Sequence, residues 1–74
     1  MLVLSKITGK TYDTYDVIRI LNPQQAIFYM KNNVQLQDVE FSKNRFGKDI
    51  FVFLFNRKDT VDAFDLWCRR KDEQ

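Results

Sequence analysis

The residues able to do chemistry in this chain are few and scattered. Thr8-Gly9-Lys10-Thr11 ends like a phosphate-binding loop, in which backbone amides and a lysine cradle phosphate oxygens. That motif needs a glycine five residues before Gly9, where Leu4 stands, and a helix behind it, whereas Tyr12 to Ile20 reads as strand. A polar turn is the better reading. Asp13 and Asp16 lie three residues apart, which in a strand sends them to opposite sides, so they make no metal or acid–base pair. Asp62 and Asp65 share a helical side, but Arg69 follows Asp65 by one turn, the spacing of a solvated ion pair. With no histidine and a single cysteine, Cys68, neither a Cys/His zinc set nor a base-activated nucleophile can be assembled. The expectation is a protein that is not an enzyme, with no catalytic site, metal or cofactor.

The basic residues raise a different chemistry. Lys43, Arg45 and Lys48 crowd one turn with Phe41, Phe46 and Phe51 interleaved, and Arg57 and Lys58 follow. Such a surface can neutralise phosphates and stack bases. The order of elements is that of the RNA-recognition motif, yet the signature fails. Setting Phe51-Val52 on its Phe-Val puts Asp49 where a stacking aromatic belongs and Gly47 where a basic residue belongs. The net charge of +2, from 12 basic and 10 acidic residues largely interspersed, adds little. A solvated hairpin is the plainer reading, and nucleic-acid binding through Lys43, Arg45, Lys48, Arg57 and Lys58 is the alternative.

The elements that must position these residues come next. The 74 residues are 45% hydrophobic and 15% aromatic with two glycines and one proline, which predicts one small folded domain, residues 1–74. A lone cysteine forms no internal disulfide and suits a reducing, cytoplasmic setting. The apolar run Leu2 to Leu4 stops at Ser5-Lys6, far short of a signal peptide or a span, so a soluble protein with no membrane association is expected.

Residues 2–7 read as an optional first strand and 14–20 as a firmer one, with Ile18 and Ile20 on one face and Val17 opposite with Tyr15. Asn22 as N-cap and Pro23 in the first turn start a helix, ended by Asn32-Asn33. Its apolar arc holds Ala26, Ile27, Met30 and Val34, leaving Phe28 nearly opposite, exposed or against a partner. Two strands then surround a hairpin at about Asn44 to Lys48. The first, with Val39 and Phe41 on one side and Asp38 and Glu40 on the other, suits an edge with a solvated second face. The next, Ile50 to Phe55, is apolar on both sides and belongs at the centre. Asp59 or Thr60 starts a second helix, acidic early at Asp62 and Asp65, basic late at Arg69, Arg70 and Lys71, with Val61, Phe64, Trp67 and Cys68 as its apolar side. The fold class is α+β, a three- or four-stranded antiparallel sheet with two helices in the order (β)βαββα.

Two stretches, "QQAIFYMKNNV" and "IFVFLFNRKDTVDAFDLW", carry a resemblance. An alanine and a bulky apolar residue before a turn, then an aromatic strand ending in a polar cap and an amphipathic helix, resemble a small family of domains of unknown function from Gram-positive bacteria and their phages. The resemblance covers residues 15–68 and departs at Asn33-Val34, where the family has a glycine. It implies the fold and a bacterial or phage setting, and no activity.

The doubly apolar strand poses the functional question. Two short helices cover one side of a small sheet, so its other side is expected to meet another protein chain, most simply a second copy. Phe51, Phe53 and Phe55, if outward, would anchor that contact together with Phe28; otherwise Val52 and Leu54 would. The sequence thus predicts a non-catalytic interaction module that forms a homo-oligomer, a dimer, or binds another protein.

Overall fold

Ile50 to Phe55, the doubly apolar strand, lies at the centre of the sheet. In a computed structural model that describes residues 1–70, β3 (Val17–Ile20), β5 (Asp49–Asn56) and β4 (Leu36–Lys43) form an antiparallel sheet in the order β3-β5-β4. A separate two-stranded ribbon pairs β1 (Leu2–Leu4) with β2 (Thr11–Asp13), Val3 opposite Tyr12. Helix α1 (Pro23–Lys31) joins β3 to β4, and a single 3-10 turn (Arg57–Thr60) leads from β5 into α2 (Val61–Arg69). The fold is α+β, with two antiparallel sheets and two helices. Lys71 lies outside the described residues.

Local chemistry explains the boundaries. The Asn22 side chain accepts the Gln24 amide at 2.9 Å, which starts α1. Its end is a Schellman turn: Val34 N–H donates to Tyr29 O and Asn33 N–H to Met30 O, with Asn33 in the left-handed region at φ 67°. An asparagine therefore serves where glycine is usual. The strand expected at 14–20 starts only at Val17, because Asp13 accepts the Tyr15 amide at 2.9 Å and Asp16 N–H returns to Asp13 O, turning the chain at 14–16. Thr60 occupies the N-cap of α2, but its hydroxyl donates to Arg57 O at 2.9 Å and caps nothing; Asn56 caps the preceding turn instead.

The register puts Ile18, Ile20, Leu36, Val39, Phe41, Phe51, Phe53 and Phe55 on one side of the sheet and Val17, Arg19, Asp38, Glu40, Val52 and Leu54 on the other. Both helices pack on the first side. There Ile20, Ala26, Tyr29, Val34, Phe55 and Ala63 form the core, with the Tyr29 and Phe55 rings edge to face at 5.3 Å. The inward face of α1 is thus Ala26 and Tyr29, while Ile27 and Met30, expected inside, are exposed. Tyr29 can be buried because its hydroxyl accepts from Gln25 Nε2 at 2.9 Å.

The second side is covered from within the chain. The β1–β2 ribbon and its connecting loop lie over it, held by Thr8 Oγ1 to Asp38 Oδ2 at 2.9 Å and Tyr12 OH to Glu40 Oε2 at 3.2 Å. Val52 and Leu54 are 0% and 1% exposed beneath it. Two expectations are corrected here: the second side is not open to a partner, and the Asp38 side of β4 is not solvated. The N-terminal segment, being tethered by polar side chains to the edge strand, supplies the missing layer.

Candidate functional site

The helices stop short of one end of the sheet. β5 runs from the Asn44–Lys48 hairpin toward the helices, so α1 and α2 cover the Phe55 end and leave the hairpin end bare. At that end Phe41 and Phe51 face each other across the β4–β5 ladder, rings 5.4 Å apart, and are 66% and 54% exposed. Phe46, on the turn, is 74% exposed with the Arg45 guanidinium over its ring at 4.9 Å. The turn itself is rigidly built. Asn44 Oδ1 accepts the amides of Phe46 and Lys48, and Gly47 takes φ 78°.

The phenylalanine row expected to contact a partner is therefore split along its length. Phe55 is core, Phe53 is half-buried, and only Phe51 reaches solvent. Phe28 is likewise not free: it is half-buried in the seam between the helices, its ring 5.4 Å from that of Trp67, whose other contact is the Arg70 guanidinium at 3.4 Å. Phe41 and Phe46, read in the sequence only as companions of basic residues, prove to be the exposed aromatics at this end. The signal that could have found them was their position at the hairpin end, beyond the reach of two nine-residue helices.

A second apolar surface sits on α2. Its side toward α1 carries Asp62, Ala63, Leu66, Trp67 and Arg70, which line the two grooves between the helices. Val61, Phe64 and Cys68, one stripe at helical spacing, lie on the flank turned away from α1 and are exposed. The apolar side predicted for α2 is real as a pattern, but only Ala63 is buried and Trp67 half-buried.

The basic residues do not gather. Lys43 Nζ pairs with Asp49 at 3.0 Å, leaving Arg45 and Lys48 at the hairpin. Arg57 and Lys58 stand at the other end of β5, roughly 30 Å away along the strand at its usual rise. Arg57 is committed to carbonyls: its Nε donates to Tyr15 O at 3.0 Å and Nη2 to Val17 O at 3.4 Å, which ties the 14–16 turn to the sheet.

A cleft of about 510 Å³ lies between ribbon and sheet, lined by Val3, Tyr12, Val17, Arg19, Glu40 and Arg57 among others. Its groups are spoken for. Glu40 bonds Arg19 Nε at 3.1 Å and the Tyr12 hydroxyl, whose pKa is raised by burial and by the Glu40 charge beside it. Asp38 is 5% exposed; burial pushes its carboxyl up, but the Ser5 hydroxyl, the Val39 amide, the Thr8 hydroxyl and Lys10 outweigh this and hold it below the usual carboxylate range. Asp13, held low by the Tyr15 amide and the terminal ammonium, ends β2. Among the described residues no group of three or more His, Cys, Asp or Glu is placed to hold a metal ion, and no helix is long and apolar enough to cross a membrane.

Fold and site together define a small α+β domain with an aromatic surface beside a basic turn. Comparison with protein-family models, with curated proteins and with solved structures finds no match for the chain.

Proposed function

We propose that this protein is a non-catalytic interaction module that binds a protein surface through the bare end of its sheet, Phe41, Phe46 and Phe51. What supports the reading most is the exposed Phe41–Phe51 pair, held by paired strands next to a capped turn. Aromatic rings that are fixed before binding give up little entropy on contact and bury large areas, which is the character of interface anchors. The flattened shape points the same way. Its radius of gyration is 13.1 Å, against about 11 Å for a compact chain of this length, and its extents are 38 × 30 × 18 Å. A bacterial or phage origin and a cytoplasmic setting belong to the same proposal and rest on the sequence resemblance and the lone cysteine.

Nucleic-acid binding is the competing reading, favoured by Arg45 stacked on Phe46 beside Lys48. It has less behind it, since Lys43 and Arg57 have intramolecular partners and Lys58 lies at the far end. Hydroxyl-radical footprinting of Phe41, Phe46 and Phe51 separates the two. Protection of these rings by protein, unchanged by high salt, is expected. Protection that needs an added oligonucleotide and disappears as salt rises would replace this reading with the other.

A further inference from the structure

Two of the exposed apolar surfaces, the bare sheet end and the outer stripe of α2, are built on the same side of the sheet at opposite ends of β5. The molecule is consequently stepped: thick where helices lie on the sheet, thin at the hairpin. The charges differ between the ends as well. Lys43, Arg45 and Lys48 against Asp49 leave the hairpin basic, while Asp59, Asp62 and Asp65 are balanced by Arg57, Lys58 and Arg69 at the α2 end.

From this placement, and resting on the interaction reading above, we infer that the partner is a second copy of this chain, turned end for end. In such a two-fold pair the α2 stripe of each copy, Val61 and Phe64, lies on Phe41 and Phe51 of the other. The thick end of one fills the step of its neighbour, and each basic hairpin meets a helix end whose charges balance rather than another basic hairpin. Stacking the copies in the same direction would put hairpin on hairpin and oppose like charges. Area agrees. From their exposures, the three phenylalanines of the hairpin end present about 400 Å² and Val61 with Phe64 about 200 Å² more, so each copy offers most of the roughly 800 Å² per partner of a standard interface before any polar rim is counted.

Pairing through the β4 edge is disfavoured by the chain itself. β4 carries a bulge between Leu36 and Asp38, two acidic side chains on one face, and the Thr8 tether laid against it, devices that protect an edge from another strand.

Sedimentation velocity over a dilution series tests the pair, with wild type, Phe51→Asp and Phe64→Lys, and the two variants mixed in equal amounts. Both side chains are more than half exposed, so the variants keep the fold, checked by circular dichroism and urea midpoint. Wild type is expected as a dimer of twice 8.9 kDa at high concentration, with dissociation about 30-fold weaker in each variant alone. The mixture is expected to associate more tightly than either variant, because one contact in the mixed dimer is native and the other brings Asp and Lys together. A monomeric wild type at every concentration overturns the second copy, whereas footprint protection by a different protein would still uphold the interaction reading. A dimer unaffected by Phe64→Lys, or not restored on mixing, overturns the end-for-end arrangement.

Discussion

Removing residues 1–13 should cost the domain most of its stability, although the deleted segment contributes no residue to the three-stranded sheet. Val52 and Leu54 are fully buried on the side that, among the described residues, the β1–β2 ribbon and its loop cover. Exposing a buried valine or leucine costs roughly 1.5–3 kcal/mol, so the pair accounts for about 5 kcal/mol. A domain of this size has roughly 4–11 kcal/mol in total, at 0.05–0.15 kcal/mol per residue. Urea denaturation followed by Trp67 fluorescence and far-UV circular dichroism is the assay. The full chain is expected to unfold in one transition and the shortened chain to lose that transition or shift it by more than half its midpoint. A shortened chain with the same midpoint and slope would refute the reasoning, because the second side of the sheet would then need no cover. The tether can be tested without deletion. Thr8→Val should lose about 1–2 kcal/mol, and should lose less when made together with Asp38→Ala, where the accepting carboxylate is already gone.

Acid should loosen the same contact. Since the folded-state pKa of Asp38 is depressed, its contribution is fully present above the ordinary value of 3.8 and is lost as pH falls through the lower folded value; thermal melts of wild type are expected to drop more steeply in that range than those of Asp38→Asn. Phe55→Ala, at a ring with no exposed surface against Tyr29, should destabilise by about 3–5 kcal/mol in urea titration. Asn33→Gly should be neutral or stabilising by about 0.5–1 kcal/mol, because φ 67° favours glycine, whereas Gly47→Ala at φ 78° should destabilise by about 1 kcal/mol. Arg70→Ala should alter Trp67 emission with less than about 1 kcal/mol change in stability, as the guanidinium rests on the indole at the surface.

Much of the framework was legible in the sequence because single residues dictated it. Asn22-Pro23 marked a helix start, Asn32-Asn33 its end, and the unbroken run from Ile50 to Phe55 demanded a central strand. The misreadings came from polar atoms that find local partners. Tyr29 lies outside the arc of Ala26, Ile27, Met30 and Val34, yet it is buried, with Gln25 one turn earlier satisfying its hydroxyl. Asp13 ends β2 and folds the chain back through the Tyr15 amide, where a strand is expected to run on to Ile20. Phe51 is expected as a partner contact together with Phe53 and Phe55, and the row divides for a geometric reason. Alternation told that Phe51, Phe53 and Phe55 share a side, but how far along that side the helices reach depends on their length and docking, and this decides that Phe55 is core and Phe51 is surface. What covers the other side depended on side-chain bonds between residues 28 and 30 positions apart, which no local pattern displays.

The central place of β5 also sets an order on assembly. Both of its neighbours precede it in the chain, and β3 and β4 do not pair with each other. Before β5 is made, residues 1–43 can form α1 and the short ribbon but no part of the main sheet. The β4–β5 hairpin closes a short loop and can zip early, while β3 must wait to find Leu54 and Phe55 across more than thirty residues. The ribbon then has a surface to land on, so residues 1–13, made before any strand of the main sheet, are the last to be fixed in place.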